Sequence, residues 1–169
     1  MKTTIPALAF IGVSGSGKTT LITKLIHILR ERGYRIGVIK HVHHDFVIDH
    51  EGKDSFLLKA AGAHQVTIVS KEKIAFVKDL DIEPKLEEIV ADYFDPGEVD
   101  LILVEGFSGS GSGVPKIIIN RGDEESDFVD AKNVVGLVSD KDRSVPGTRC
   151  FSFNEAEEIA DLLEGLIGG

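Results

Sequence analysis

Gly12-Val13-Ser14-Gly15-Ser16-Gly17-Lys18-Thr19 is the stretch whose reading decides the fold. It carries the pattern G-x-x-x-x-G-K-[ST] without a mismatch. Each residue type answers a physical need. Glycines let the backbone turn so that successive N–H groups aim at one anion, and a helix starting at the end of the loop adds the positive end of its dipole. A lysine at Lys18 reaches β- and γ-phosphates as a point charge, and the Thr19 hydroxyl is placed to ligate magnesium. The pattern has meaning only between a strand and a helix, and the flanks supply both. Residues 5–11 form a continuous apolar run that reads as a buried strand. Downstream, residues 19–32 repeat Leu21, Ile22, Leu25, Ile26, Ile28 and Leu29 at three- and four-residue spacing, and Gly33 suits the helix stop.

Working outward, residues 35–41 read as a second strand, so strand, helix and strand form a βαβ unit with a parallel, right-handed crossover. Residues 42–53 are polar and histidine-rich and read as a loop. A short helix is expected at 54–61, and strands at 65–70 and 74–78. Pro84 opens an amphipathic helix carrying Leu86, Ile89, Val90, Tyr93 and Phe94. Further apolar strands are expected at 99–104, 116–120 and 134–138. A last helix over 154–167 has Asn154 and Glu157 as a capping pair and Ile159, Leu162, Leu163 and Leu166 on its apolar face. Alternating strands and helices predict the α/β class: one nucleotide-binding domain over 1–169, a mostly parallel sheet with helices on both faces, the P-loop NTPase fold.

The strand at 99–104 runs into Glu105 and Gly106. Strand C-termini line the ligand crevice of an open α/β sheet, so Glu105 is expected to face magnesium, as a ligand or to position water. Asp100 begins that strand, at the far end, and reads as a surface residue. Between residues 41 and 54 the chain carries four histidines (41, 43, 44 and 50) and three aspartates (45, 49 and 54). Three readings are open for this segment: a transition-metal site, a switch loop holding phosphorylated substrate and magnesium, or a polar surface loop. Asp45 and Asp54 are its candidate acids near magnesium.

Composition narrows the partners. A net charge of -9 on 169 residues opposes nucleic acid and anionic membranes, so an anionic nucleotide must be held by local donors and a metal. One cysteine, Cys150, excludes an internal disulfide and a zinc ribbon and fits a reducing compartment. The apolar run at 5–11 is too short for a membrane span, and a cytoplasmic location is expected.

Together these segments resemble the MobB family of molybdopterin-guanine dinucleotide biosynthesis adapter proteins. The resemblance covers most of the chain. It rests on the phosphate loop, on Gly37-Val-Ile-Lys40-His41-Val-His43-His44-Asp45-Phe46, Gly52-Lys53-Asp54-Ser55 and Ala61-Gly62-Ala63, and on Val104-Glu105-Gly106-Phe107 and Pro115-Lys116 with Arg121. The lysine–histidine–aspartate run makes it specific. The resemblance implies a homodimer that binds GTP with Mg2+, hydrolyses it weakly, and works beside the molybdenum cofactor guanylyltransferase and its molybdopterin substrate. Carried over, Gly15, Ser16, Gly17, Lys18, Thr19 and Thr20 would hold phosphate, and Thr19, Glu105 and Asp54 would hold magnesium. His41, His43 and His44 would line the pterin-phosphate side of the cleft, and Lys40 is a further cofactor-binding candidate. Lys18, Glu105 and Asp45 are the candidate catalytic residues.

Two departures stand out. Ser108 and a Gly/Ser run to Gly113 replace the basic residue that often follows Glu-Gly-Phe. The segment Ser139-Asp140-Lys141-Asp142 lacks the in-register lysine of the usual guanine-reading motif, leaving Asp140 or Asp142 to read the base. Arg121 and Arg143 are the candidate arginines for charge stabilisation. Two other classes compete: an ATP-dependent enzyme of the dethiobiotin-synthetase kind, and a GTP-dependent metal chaperone.

Overall fold

The structure, a computed structural model, describes residues 5–44, 46, 49–107, 113–121, 133–141 and 147–168. The chain forms two compact units, Met1–His41 with Lys85–Gly169, and Val42–Pro84. The first unit contains strands β1 (Ala7–Ile11), β2 (Ile36–Lys40), β5 (Leu101–Glu105), β6 (Lys116–Asn120), β7 (Val134–Ser139) and β8 (Arg149–Phe151). Its helices are α1 (Lys18–Glu31), α3 (Leu86–Tyr93) and α4 (Ala156–Ile167). The second unit contains α2 (Asp54–Ala60) and the strands β3 (Gln65–Val69) and β4 (Ile74–Lys78), which pair antiparallel.

The strands of the first unit form one sheet in the order β2-β5-β1-β6-β7-β8, and every pairing is parallel. Alternation along the central strands explains why both faces are covered. Leu8, Phe10, Leu101 and Leu103 point into a core with Leu21, Leu25 and Leu29 of α1 and with Ile159 and Leu163 of α4. Ala7, Ala9, Ile11, Ile102 and Val104 point to the opposite face, under Leu86 and Val90 of α3. A central parallel strand with no solvent face must be apolar at every position, and β1 is buried along its whole length. Each fully buried Leu or Phe contributes roughly 1.5–3 kcal/mol.

The helix ends follow local chemistry. The α1 helix closes in a Schellman arrangement, with Tyr34 N–H donating to Leu29 O at 3.0 Å and Gly33 N–H to Arg30 O at 3.0 Å. Pro84 lies just outside α3. Lys85 is the N-cap there, and its N–H donates to the Glu88 carboxylate at 2.9 Å. The expected Asn154–Glu157 cap on the last helix is not what forms. Glu155 is the N-cap without a side-chain cap, because its carboxylate accepts from Ser152 N–H at 2.6 Å and closes the preceding turn instead.

The sequence reading misses β8. Arg149-Cys150-Phe151 is three residues long, and only Phe151 is buried.

Candidate functional site

Register brings the candidate residues to the C-terminal edge of the sheet. Phe10, the penultimate residue of β1, lies beside Glu105, and Glu105 lies beside Lys40 at the end of β2. The phosphate loop leaves β1 at this edge and turns into α1, with Gly15 at φ +76° and Gly17, the N-cap, at φ +94°. Side chains rarely adopt that left-handed region, so glycine suits both positions. Gly12 has a different constraint. A Cβ there would lie 2.4 Å from the Ile119 carbonyl oxygen of β6 and 2.9 Å from Ser16 Oγ. Ser16 is buried, whereas Thr19 and Thr20 are exposed on the first turn of α1.

The Lys18 ammonium closes the loop on itself, donating to Gly12 O at 2.7 Å and Val13 O at 2.6 Å. Burial holds its pKa below the usual lysine range, the Glu105 carboxylate opposes that shift, and Lys40 adds to it. A cation in this position gains from an arriving anion, since a phosphate offers full charges in place of two carbonyl dipoles. Beside it, the Thr19 hydroxyl donates to Glu105 Oε1 at 2.8 Å. Lys40 Nζ stands 3.7 Å from the same oxygen, and the Glu105 side chain is only 14% exposed. A hydroxyl and a carboxylate this close are the kind of oxygen donors that would suit a hard divalent cation.

His41 follows β2, and its N–H donates to Glu105 O at 2.9 Å. Its ring packs on Phe107, with centroids 4.3 Å apart. Phe107 has φ 56°, so a non-glycine residue sits in the left-handed region two positions after Glu105, the last residue of β5.

On the other side of the loop, Asp140 accepts from Arg121 Nε at 3.1 Å, and the Arg121 guanidinium stacks 4.4 Å from the centre of the Phe153 ring. Asp140 also lines a hollow of about 220 Å³ with Ser139, Lys141, Phe151 and Glu155. The sequence reading does not single out Phe153 or Glu155. No periodic signal marks them, because Phe153 and Glu155 lie beyond β8 and before α4.

The first unit thus assembles Gly12, Gly15, Ser16, Gly17, Lys18, Thr19, Thr20, Lys40, His41, Glu105 and Asp140 along one edge of its sheet. His43, His44 and Asp54 belong to the second unit, where both histidines are exposed and Asp54 is the first residue of α2. Asp45, Asp142, Arg143 and the Ser108 run lie outside the described residues. Among the described residues, no three His, Cys, Asp or Glu side chains gather as a metal-binding group. No described helix is long and apolar enough to cross a membrane.

Comparison with known proteins bears on the family and the fold. The family model described as molybdopterin guanine dinucleotide synthesis protein B matches residues 7–140. The molybdopterin-guanine dinucleotide biosynthesis adapter protein of Escherichia coli (strain K12) is 39% identical, over 96% of this chain and 93% of that protein. The adapter protein of Haemophilus influenzae is 37% identical, over 99% of this chain and 92% of its own length. The crystal structure of Bacillus subtilis MobB superposes with a TM-score of 0.77 at 25% identity, covering 96% of this chain and 98% of the other. A solved molybdopterin-guanine biosynthesis protein B gives 0.70 at 31% identity, over 96% and 99% of the two chains. The parallel sheet with helices on both faces and the matched span from β1 to Asp140 therefore lead to one conclusion: the chain belongs to the MobB family.

Proposed function

We propose that this chain binds GTP with Mg2+ in the phosphate loop and acts as an adapter beside the molybdenum cofactor guanylyltransferase in molybdopterin guanine dinucleotide biosynthesis. Membership of the family supports the adapter role over the dethiobiotin-synthetase and metal-chaperone alternatives. The observation that carries the nucleotide reading is the Lys18 ammonium, poised on Gly12 O and Val13 O next to the Thr19–Glu105 pair. The amides of Gly15 to Thr20 and the Lys18 ammonium would hold the phosphates, while Thr19 and Glu105 would hold magnesium. Magnesium, when bound, neutralises charge on the phosphate chain. The protein's own contribution to hydrolysis is positioning and fixed positive charge, with Glu105 orienting water. Slow turnover is expected from so simple a set.

The hollow bounded by Asp140 is the nucleobase site in this reading, because it lies at the ends of β7 and β8 and offers a carboxylate to a base edge. Asp142 is the neighbouring candidate. Of the first unit's residues, His41 is assigned to the molybdopterin side. A homodimer and a cytoplasmic location complete the proposal, and the free, exposed thiol of Cys150 fits the reducing compartment. Calorimetric titration with GTP and ATP, with and without Mg2+, tests the reading. GTP is expected to bind more tightly than ATP. Lys18→Ala should weaken GTP at least about tenfold, the loss of a charge-assisted contact. Undiminished binding by that variant would remove the phosphate loop from the site.

A further inference from the structure

The departure at residues 139–142 leaves a gap that the structure fills from a neighbouring strand. Arg121 follows the last residue of β6, between the phosphate loop and the hollow beyond β7. Two groups hold its guanidinium, and Gly17 lies alongside. Asp140 accepts from Nε at 3.1 Å, the centre of the Phe153 ring lies 4.4 Å from Cζ, and Nη1 comes within 3.8 Å of where a side chain on Gly17 would begin. One arginine therefore bonds to the carboxylate lining the hollow and sits beside the N-cap of α1.

We propose that Arg121 is a specificity-determining residue: it occupies Asp140 until a guanine base displaces it, and then donates to the phosphate chain. The inference rests on the reading of the hollow as the base site. Arg121 and Asp140 are each half exposed, at 50% and 50%, so water screens their pair and breaking it costs little. The Watson–Crick edge of guanine presents two adjacent N–H donors, N1 and N2, which match a carboxylate bidentately. Adenine presents a bare ring nitrogen at the same place and leaves Asp140 with its arginine. Once released, the guanidinium stays on the Phe153 ring by cation–π attraction, and its Nη donors remain near Gly17, at the start of the phosphate-facing helix turn. The identity of the base is thereby coupled to the grip on the phosphates through one side chain.

The test uses the full chain with Mg2+. GTP and ATP are titrated calorimetrically, and guanosine is titrated by ligand-observed NMR, into wild type, Arg121→Ala, Arg121→Lys and Asp140→Asn. The exchange predicts that Arg121→Ala binds guanosine as well as wild type or better, because the competitor for Asp140 is gone. The same variant should bind GTP about tenfold more weakly through the lost charged donor. Arg121→Lys should keep part of the GTP affinity, which shows that the fold survives. Asp140→Asn should bring GTP down to the level of ATP. Equal weakening of guanosine and GTP in Arg121→Ala, or no change in either, would overturn the exchange while leaving the base site in place. An unchanged GTP-to-ATP ratio in Asp140→Asn would instead remove Asp140 from base reading, and the exchange with it.

Discussion

Replacing Gly12 by alanine probes the joint between the sheet and the phosphate loop. The added Cβ would meet the Ile119 carbonyl oxygen at 2.4 Å, where real Cβ atoms essentially never come under 3.0 Å. Relieving the clash to that limit requires the end of β1 and the strand β6 to separate by 0.6 Å, the difference between those two distances. The obstructing atom is backbone of β6, which pairing of Ile119 with Val138 of β7 holds in place, so no rotamer change can absorb the shift. Overpacking of this kind costs about 1–3 kcal/mol. In a chain of 169 residues each kcal/mol moves the melting temperature by ~2–4 °C, which gives a drop of ~2–12 °C. Gly165→Ala is the control with the opposite sign. Gly165 lies within α4 with open space around a new Cβ, and the change should stabilise by about 0.5–1 kcal/mol. Scanning calorimetry of the two variants reads both effects. A Gly12→Ala protein that melts at or above the wild-type temperature would show that β1 and β6 do not approach as closely as described.

Two further variants probe the site edge and the far end of the sheet. Glu105→Gln keeps the shape of the side chain and its bond to Thr19 but removes the charge. Magnesium affinity in the presence of nucleotide should fall about 10–100-fold, with metal-free nucleotide binding unchanged, and an unaltered Mg2+ titration would take Glu105 out of the metal site. At the opposite end of β5, hydrogen bonds from the Arg35 side chain and backbone hold the Asp100 carboxyl down to about 2, from an ordinary value of 3.8. A depressed acid contributes stability that is complete above its unfolded pKa and is lost as pH falls through the folded one. Wild type and Asp100→Asn should therefore differ in melting temperature at neutral pH and converge between about pH 4 and pH 2. A gap that persists below that window would assign the difference to something other than the Asp100 charge.

How far the sequence reaches can be judged residue by residue. The strand, loop and helix around Lys18 were legible because their spacing is a direct image of local geometry: apolar runs for buried strands, 3.6-residue recurrence for α1, and glycines where left-handed φ is needed. Glu105 was legible because a carboxylate at the end of an apolar strand has one natural place in a parallel sheet. The β8 strand was not, because three edge residues with a single buried side chain carry no period. The steric reason for Gly12 was hidden as well: the oxygen it must clear belongs to Ile119, more than a hundred positions away, and only strand order brings the two together. The clamp of Arg121 by Asp140 and Phe153 depends likewise on three separate strand ends meeting. The glycine-lysine motif pointed to a nucleotide and the net charge to local donors, but long-range pairing decides which side chains stand where.

Lys18, Thr19 and Glu105 are proposed to form one triphosphate-and-metal site. A crystal structure with a non-hydrolysable GTP analogue and Mn2+ in place of Mg2+ decides whether they do. One anomalous peak is expected beside Thr19 Oγ1 and the Glu105 carboxylate, with Lys18 Nζ moved from Gly12 O and Val13 O onto the phosphates. A metal peak elsewhere, or a lysine still bonded to its own loop with the nucleotide bound, would contradict it.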